Sequence, residues 1–162
     1  MAEGAEIERK FLIAGMPGDL GSGERVDQGY LALGEDGLEV RVRRRGERHL
    51  LTIKQGSGLT RVEEEIELEP ATFDRLWPMT EGRRVEKVRH LVALDGGLTA
   101  EVDLYRGGLE GLEVAEVEFG SEDEANAFDP PEWIGQEVTG DARYANRVLA
   151  TNGPPPGIRE KT

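Results

Sequence analysis

Short runs in which charged and apolar side chains alternate constrain this chain more than any other feature. Near its start, Glu6-Ile7-Glu8-Arg9-Lys10-Phe11-Leu12 puts Glu6, Glu8 and Lys10 on one parity and Ile7, Arg9 and Phe11 on the other. Successive side chains of a strand point to opposite faces, so a strand here carries two acids and a base side by side. The split recurs. Arg41 and Arg43 oppose Leu38, Val40 and Val42, and Lys54 opposes Leu51 and Ile53. Arg61, Glu63 and Glu65 oppose Val62 and Ile66, while Lys87 and Arg89 share a face. Glu101 and Asp103 oppose Ala100, Val102 and Leu104, and Glu116 and Glu118 oppose Ala115, Val117 and Phe119.

Any one of these runs suits an ordinary amphipathic sheet with its charges in water. Together they do not, because the polar faces are mostly doublets of full charge rather than Ser, Thr, Asn or Gln. Like-charged residues two apart on a strand sit roughly 7 Å from each other. If enclosed, at an effective dielectric of about 20, each such pair costs about 2 kcal/mol. Opposite charges across a lumen, a metal or a bound anion offset that cost. The pattern therefore predicts an inside-out barrel, charged within and apolar towards packing helices.

The rest of the chain fits one such domain. Its 162 residues suit a single core, and 33% of them are Asp, Glu, Lys or Arg. Twenty-two glycines punctuate the alternating runs, as turns between strands do. Strands are expected near 5–13, 25–33, 37–45, 48–54, 60–68, 84–93, 98–105 and 111–119. Eight strands in so short a chain favour a closed or nearly closed antiparallel barrel, mainly β, which also removes exposed edges. A short helix is expected over Pro70–Trp77, stopped by Pro78. A second opens at Ser121-Glu122-Asp123-Glu124, a capping box, and a third spans Asp141–Ala150. The domain is expected to cover 1–150, with a disordered tail over 151–162 that begins near Gly153-Pro154-Pro155-Pro156-Gly157.

Composition narrows function. A net charge of −13 argues against a protein that coats nucleic acid. There is no cysteine for a disulfide or thiolate site. No apolar run approaches a membrane span, so no membrane partner is expected and a cytoplasmic location is. The lumen bases Lys10, Arg41, Arg43, Lys54, Arg61, Lys87 and Arg89 suit a polyphosphate. The lumen acids Glu6, Glu8, Glu63, Glu65, Glu101, Asp103, Glu116 and Glu118 offer hard oxygen donors that suit Mg²⁺ or Mn²⁺. A site holding both suits metal-dependent phosphoryl transfer.

These residues resemble the CYTH superfamily, the triphosphate tunnel metalloenzymes. Glu6-x-Glu8-x-Lys10 matches its N-terminal ExExK signature. The series continues through Arg41-x-Arg43, Lys54, Glu63-x-Glu65, Lys87-x-Arg89, Asp103, Glu116-x-Glu118 and Arg143-Tyr144-x-Asn146. Gln28-Gly29-Tyr30 and Leu76-Trp77-Pro78 are similar to stretches of the short bacterial inorganic triphosphatases. The resemblance implies an eight-stranded tunnel that hydrolyses inorganic tripolyphosphate to pyrophosphate and phosphate. It implies a metal held by Asp103, Glu116 and Glu118, and a second held by Glu6 and Glu8 that activates water. It also implies a phosphate grip by Lys10, Arg41, Arg43, Lys54, Lys87 and Arg89, and an orienting role for Tyr30. Glu6, Glu8, Lys87 and Tyr30 are thus the candidate catalytic residues.

Class IV adenylyl cyclases and thiamine triphosphatases share the tunnel, and a polyphosphate or nucleotide sensor without turnover shares its chemistry. The Trp that mammalian thiamine triphosphatases carry three residues before the strand lysine corresponds here to Leu51, which weakens the thiamine alternative. The acidic doublets disfavour a simple sensor, since anion binding needs no excess of carboxylates. An exposed outer barrel face leaves room for a homodimer.

Overall fold

The structure, a computed structural model, describes residues 7–56 and 61–156. Nine strands form a single antiparallel sheet among them: β1 (Ile7–Ile13), β2 (Glu24–Leu33), β3 (Glu39–Arg45), β4 (Arg48–Gln55), β5 (Val62–Glu67), β6 (Arg84–Ala93), β7 (Thr99–Arg106), β8 (Glu113–Phe119) and β9 (Ile134–Glu137). Their order is β5-β4-β3-β2-β6-β7-β8-β1-β9. The mainly β, antiparallel class follows the alternation, and each of the eight expected strands is present. The expected count of eight is exceeded by β9, which adds to β1 through Phe11↔Glu137 and Ile13↔Ile134. The edges β5 and β9 do not pair with each other, so the sheet curls around its charged face as an open tunnel rather than a closed barrel.

Register puts the two parities on opposite sides. Lys10 faces Glu116 and Glu8 faces Glu118 across β1 and β8, and Arg89 faces Asp103 across β6 and β7. On the outer side Phe11, Val102, Ala115, Val117 and Phe119 make one buried cluster. Helix α2 (Glu122–Ala127) inserts Ala125 into that cluster. Its cap is the expected one in part: Ser121 Oγ accepts from Glu124 N, but Glu124 Oε1 reaches back to Gly120 N instead of the cap residue's own N–H. Helix α1 (Pro70–Leu76) packs on β3 and β4, where Phe73 meets the His49 ring edge-on at 5.1 Å and the Arg44 guanidinium at 5.3 Å.

Two helix expectations change. Pro78 does not end the segment after α1; a 3₁₀ turn, Trp77–Thr80, follows directly. Proline is tolerated there because the first turn has no use for its missing N–H. Thr80 Oγ1 donates to Trp77 O, and Arg84 clamps both groups while lying 4.4 Å over the Trp77 ring. Gly29 is required beneath this clamp, since a Cβ on it would come 2.4 Å from Thr80 Oγ1. The third helix is split. Asp141 caps a 3₁₀ turn, Ala142–Tyr144, then Ala145 is extended (φ −68°, ψ 140°) and α3 runs Asn146–Asn152. The helix thus passes the expected end at Ala150, and Pro155 beyond it is buried. Expected features that fall on Glu6, Ser57, Gly58 and residues 157–162 lie outside the described residues.

The tunnel face is charged at one end only. Following each strand to the same end, the inward residue becomes apolar: Leu12 beyond Lys10, Val114 beyond Glu116, Tyr105 beyond Asp103, Val85 beyond Lys87 and Tyr30 beyond Gln28. Tyr30, Val85, Tyr105 and Val114 cluster with Val138, Tyr144, Leu149 and Ala150, and Leu12 packs against them. Helix α3 therefore stoppers the tunnel, and burying each large apolar side chain there contributes about 1.5–3 kcal/mol. Among the described residues no helix is long and apolar enough to cross a membrane.

Candidate active site

The curled sheet encloses a cavity of about 550 Å³. One wall comes from β3, β4, β5 and the residue preceding β5: Arg41, Arg43, Lys54, Arg61, Glu63 and Glu65. The facing wall is Glu8, Arg89, Glu101, Glu116 and Glu118. All of these belong to the interior set that the alternation predicts. The remaining members of that set lie elsewhere. Lys10 lines a smaller adjoining pocket with Glu8, Thr139 and Asp141, its Nζ 3.8 Å from Glu116 and donating to Tyr144 O at 3.3 Å. Lys87 and Asp103 are buried off the wall, and Glu6 is outside the described residues. Tyr30 is buried in the apolar stopper, where its hydroxyl accepts from Gln28 Nε2 at 2.7 Å. Burial first, then the nearby Glu39 charge, pushes the Tyr30 phenol up to about 12, so it is neutral near pH 7.

Electrostatics divide the site. Six carboxylates face five cations on the cavity walls, one negative charge in excess. Glu8 lies directly opposite Glu118, and Glu101 opposite Glu116, a placement that costs stability in an ordinary sheet. Lys10 and Arg89 offset part of it, Arg89 Nη1 donating to Glu101 Oε2 at 3.3 Å. On the opposite wall the problem is reversed. Arg43 has no ion-pair partner among the described residues, and burial followed by the charge of Arg41 lowers its pKa, with Glu65 opposing. Arg41 Nη1 donates to Glu39 Oε2 at 2.6 Å, while Arg41 Nε is buried with no hydrogen-bond partner among the described residues. A buried donor left unpaired costs about 1–3 kcal/mol. An anion entering the cavity beside Arg41 and Arg43 would relieve this crowding of positive charge.

Beneath Arg89 sits a tighter group. Asp103 accepts from Arg89 Nε at 2.8 Å and Nη2 at 3.0 Å, and Lys87 Nζ lies 2.8 Å from its Oδ2. Burial alone raises a carboxyl pKa, but the Arg89 fork and the two positive charges outweigh it and hold Asp103 below the usual range. Burial likewise opposes the charged form of Arg89, and Asp103 overrides it, keeping its proton held more tightly than usual. Lys87 is the member that yields: burial lowers its pKa despite Asp103. One carboxylate cannot fully balance two cations, and the guanidinium does not give up its proton.

Sequence reasoning missed Glu39 and Tyr105 as interior residues. Parity contains the signal for each, since Glu39 is in step with Arg41 and Tyr105 with Asp103. Arg9, expected outside, is outside: it forks onto Glu137 of β9 at 2.6 and 2.9 Å and donates to Ala125 O at the end of α2.

No protein-family model matches the chain. The inorganic triphosphatase of Nitrosomonas europaea is 47% identical over 149 residues, covering 92% of this chain and 99% of that protein. The chain belongs to the inorganic triphosphatase family. A second inorganic triphosphatase, from Acetivibrio thermocellus, is 39% identical over 152 residues, 92% of this chain and 95% of that one. The crystal structure of the inorganic triphosphatase NE1496 superposes with a TM-score of 0.81 at 44% identity, covering 93% of this chain and 97% of that chain. This membership agrees with the resemblance carried by the charged series, and the superposition shows that NE1496 shares the fold described above.

Proposed function

We propose that this protein hydrolyses inorganic tripolyphosphate to pyrophosphate and orthophosphate inside the tunnel, with Mg²⁺ or Mn²⁺ as cofactor. The observation that carries the reading is the Arg41–Arg43 wall, where, among the described residues, a buried guanidinium nitrogen lacks an acceptor beside a second arginine without an ion pair. The names of two relatives covering 92% of the chain support the same substrate class.

The walls argue for a cation as well. A cavity with one excess negative charge repels a bare polyphosphate. The donor set suits a hard divalent ion, being all carboxylate, with no cysteine in the chain. Among the described residues no group of three or more acidic or histidine side chains is already gathered as a metal cage. In this reading Glu116 and Glu118, with Glu63 and Glu65 across the cavity, would hold one ion against the phosphates. Glu8 with Glu6 would hold another. A bound divalent ion supplies charge neutralisation at phosphate oxygens and lowers the pKa of water.

The chain's own residues do the rest. Arg41, Arg43, Lys54, Arg61 and Arg89 hold the phosphate chain and align the bridging oxygen, the positioning that dominates phosphoryl transfer. Water attacks the terminal phosphorus, the bond to the bridging oxygen breaks, and pyrophosphate leaves with its new charge facing the arginines. A carboxylate such as Glu8 takes the proton that water gives up. Lys10 and Lys87 contribute positive charge at the rim and floor, and neutral Tyr30 keeps the floor dry.

The test is phosphate release from tripolyphosphate with Mg²⁺ or Mn²⁺, against ATP, thiamine triphosphate and longer polyphosphate, with products identified. Wild-type release should exceed that of Glu116→Ala by about a hundredfold or more, as for loss of a charge-stabilising group. Equal rates for the two proteins would overturn the reading, and cyclic AMP from ATP would point to the cyclase alternative.

A further inference from the structure

Asp103 differs from the other acids of the tunnel. Glu8, Glu101, Glu116 and Glu118 line the cavity, whereas Asp103 is buried off its wall. Both its oxygens are already engaged by nitrogens of Arg89 and Lys87, at 2.8, 3.0 and 2.8 Å. The paired contacts from Arg89 fix the plane of that guanidinium as well as its position. Arg89 then reaches forward to the cavity, where it lines the wall and meets Glu101. Lys87 is pinned from the other side, its Nζ 5.4 Å over the Tyr105 ring. The Tyr105 hydroxyl is 3.5 Å from Asn146 Oδ1 at the start of α3, so the stopper braces the group from beneath. A divalent ion at Asp103 would have to displace an ammonium in contact with it or enter beside two fixed positive charges.

Resting on the triphosphatase reading of the tunnel, we propose that Asp103 is a positioning residue and not a metal ligand. It anchors Arg89 and Lys87 so that Arg89 presents its guanidinium to the phosphate chain at a fixed angle.

The test separates the two roles with substitutions and with a readout that needs no turnover. Mn²⁺ binding is titrated by electron paramagnetic resonance on the substrate-free protein, and KM and kcat for tripolyphosphate are measured separately. Asp103→Asn keeps the shape of the side chain but loses its charge. It should leave Mn²⁺ affinity within about twofold of wild type and raise KM about tenfold or more, whereas Glu116→Gln should weaken Mn²⁺ binding about tenfold or more. Weakening of Mn²⁺ binding by Asp103→Asn to the extent seen in Glu116→Gln overturns the proposal. So does an unchanged KM, because loss of folded protein alone lowers apparent kcat and leaves KM in place. If Asp103→Asn does not fold, Lys87→Met decides. An anchoring Asp103 limits the change in that variant to the roughly twofold tightening that follows from losing one nearby cation, while a ligating Asp103, freed of a competing ammonium, binds Mn²⁺ about tenfold or more tightly. A wild-type protein that binds Mn²⁺ but releases no phosphate sinks the proposed activity, and the Mn²⁺ titrations still decide the role of Asp103.

Discussion

Two buried aspartates sit on opposite faces of the same sheet, each held by two cations. Asp27, on the outer side of β2, is 0% exposed and is bracketed by Arg25 and Arg44, whose side chains are 54% and 36% exposed. Asp103, on the tunnel side of β7, is 5% exposed, and its partners Lys87 and Arg89 are 6% and 17% exposed. The bond lengths are alike, Arg44 Nη2 lying 2.6 Å from Asp27 and Lys87 Nζ 2.8 Å from Asp103. What differs is where the cations end. The outer pair lays its stems along the sheet and keeps its heads in water. The inner pair is sealed, so its charges have only each other, the cavity and whatever enters it. The same motif thus ties strands together on one face and stores unspent positive charge on the other.

Removing each carboxylate breaks the comparison most sharply. Asp103→Ala strands Lys87 without a counter-ion, and breaking a buried pair in this way costs about 3–5 kcal/mol. Asp27→Ala frees two arginines that are already partly hydrated, and it should cost about 1 kcal/mol with phosphate release per folded molecule preserved. Urea unfolding measures both. Equal losses would mean that the exposure of the partners does not set the cost, and the distinction between the two faces would fail.

An effect smaller than the loss of Asp103 comes from disturbing the Asp27 face of β2 without touching either acid. Gly29 lies on that face, under Thr80, and Gly29→Ala drives a methyl group to within 2.4 Å of the Thr80 hydroxyl oxygen. Overpacking of this kind costs about 1–3 kcal/mol. Pairing it with Thr80→Ala should return part of the loss, the non-additivity expected of residues in contact. The midpoint of unfolding should fall while KM for tripolyphosphate stays put, since Tyr30 and Gln28 point the other way. A large rise in KM would show that the outer clamp also shapes the tunnel.

The contrast between faces was legible in the chain because full charges repeated at a spacing of two. That signal survives at Arg41 and Arg43, or Glu116 and Glu118, whatever the register of the sheet. It fails where alternation is short or interrupted. β9 has four residues, contains Gly135 and follows Pro130 and Pro131, so it reads as a connector. Only its pairing with β1 and the Arg9–Glu137 fork reveal it. The stopper was hidden for another reason. Leu12, Val85, Tyr105 and Val114 continue the interior parity but are apolar, and read singly they look like the outer core. Their common level across four strands appears only once the register is known. The motif Gln28-Gly29-Tyr30 was visible as a similarity, but its physical cause, the space Thr80 needs above Gly29, lies fifty residues away in the chain.

A third acid gives the finest test. Glu137 is held by the Arg9 fork and by Thr139, hydrogen bonds that lower its pKa to about 2, yet its side chain is 38% exposed to solvent. Both Glu137 and Asp103 have depressed folded pKa values, so each contributes stability that is present above its unfolded value and lost as pH falls through its folded one. For Glu137 that window runs from about 4.5 down to about 2. Asp103 begins to lose its share below an unfolded value of about 3.9. Salt separates them. At 1 M ionic strength the screening length is about 3 Å, which mutes an exposed pair far more than a sealed one. Unfolding free energies measured between pH 2 and 5 should therefore show an acid limb that Glu137→Gln flattens only at low salt and Asp103→Asn flattens at both. A limb that 1 M salt abolishes altogether would mean that Asp103 is as well screened as the surface pair, and that the tunnel floor is wetter than its burial indicates.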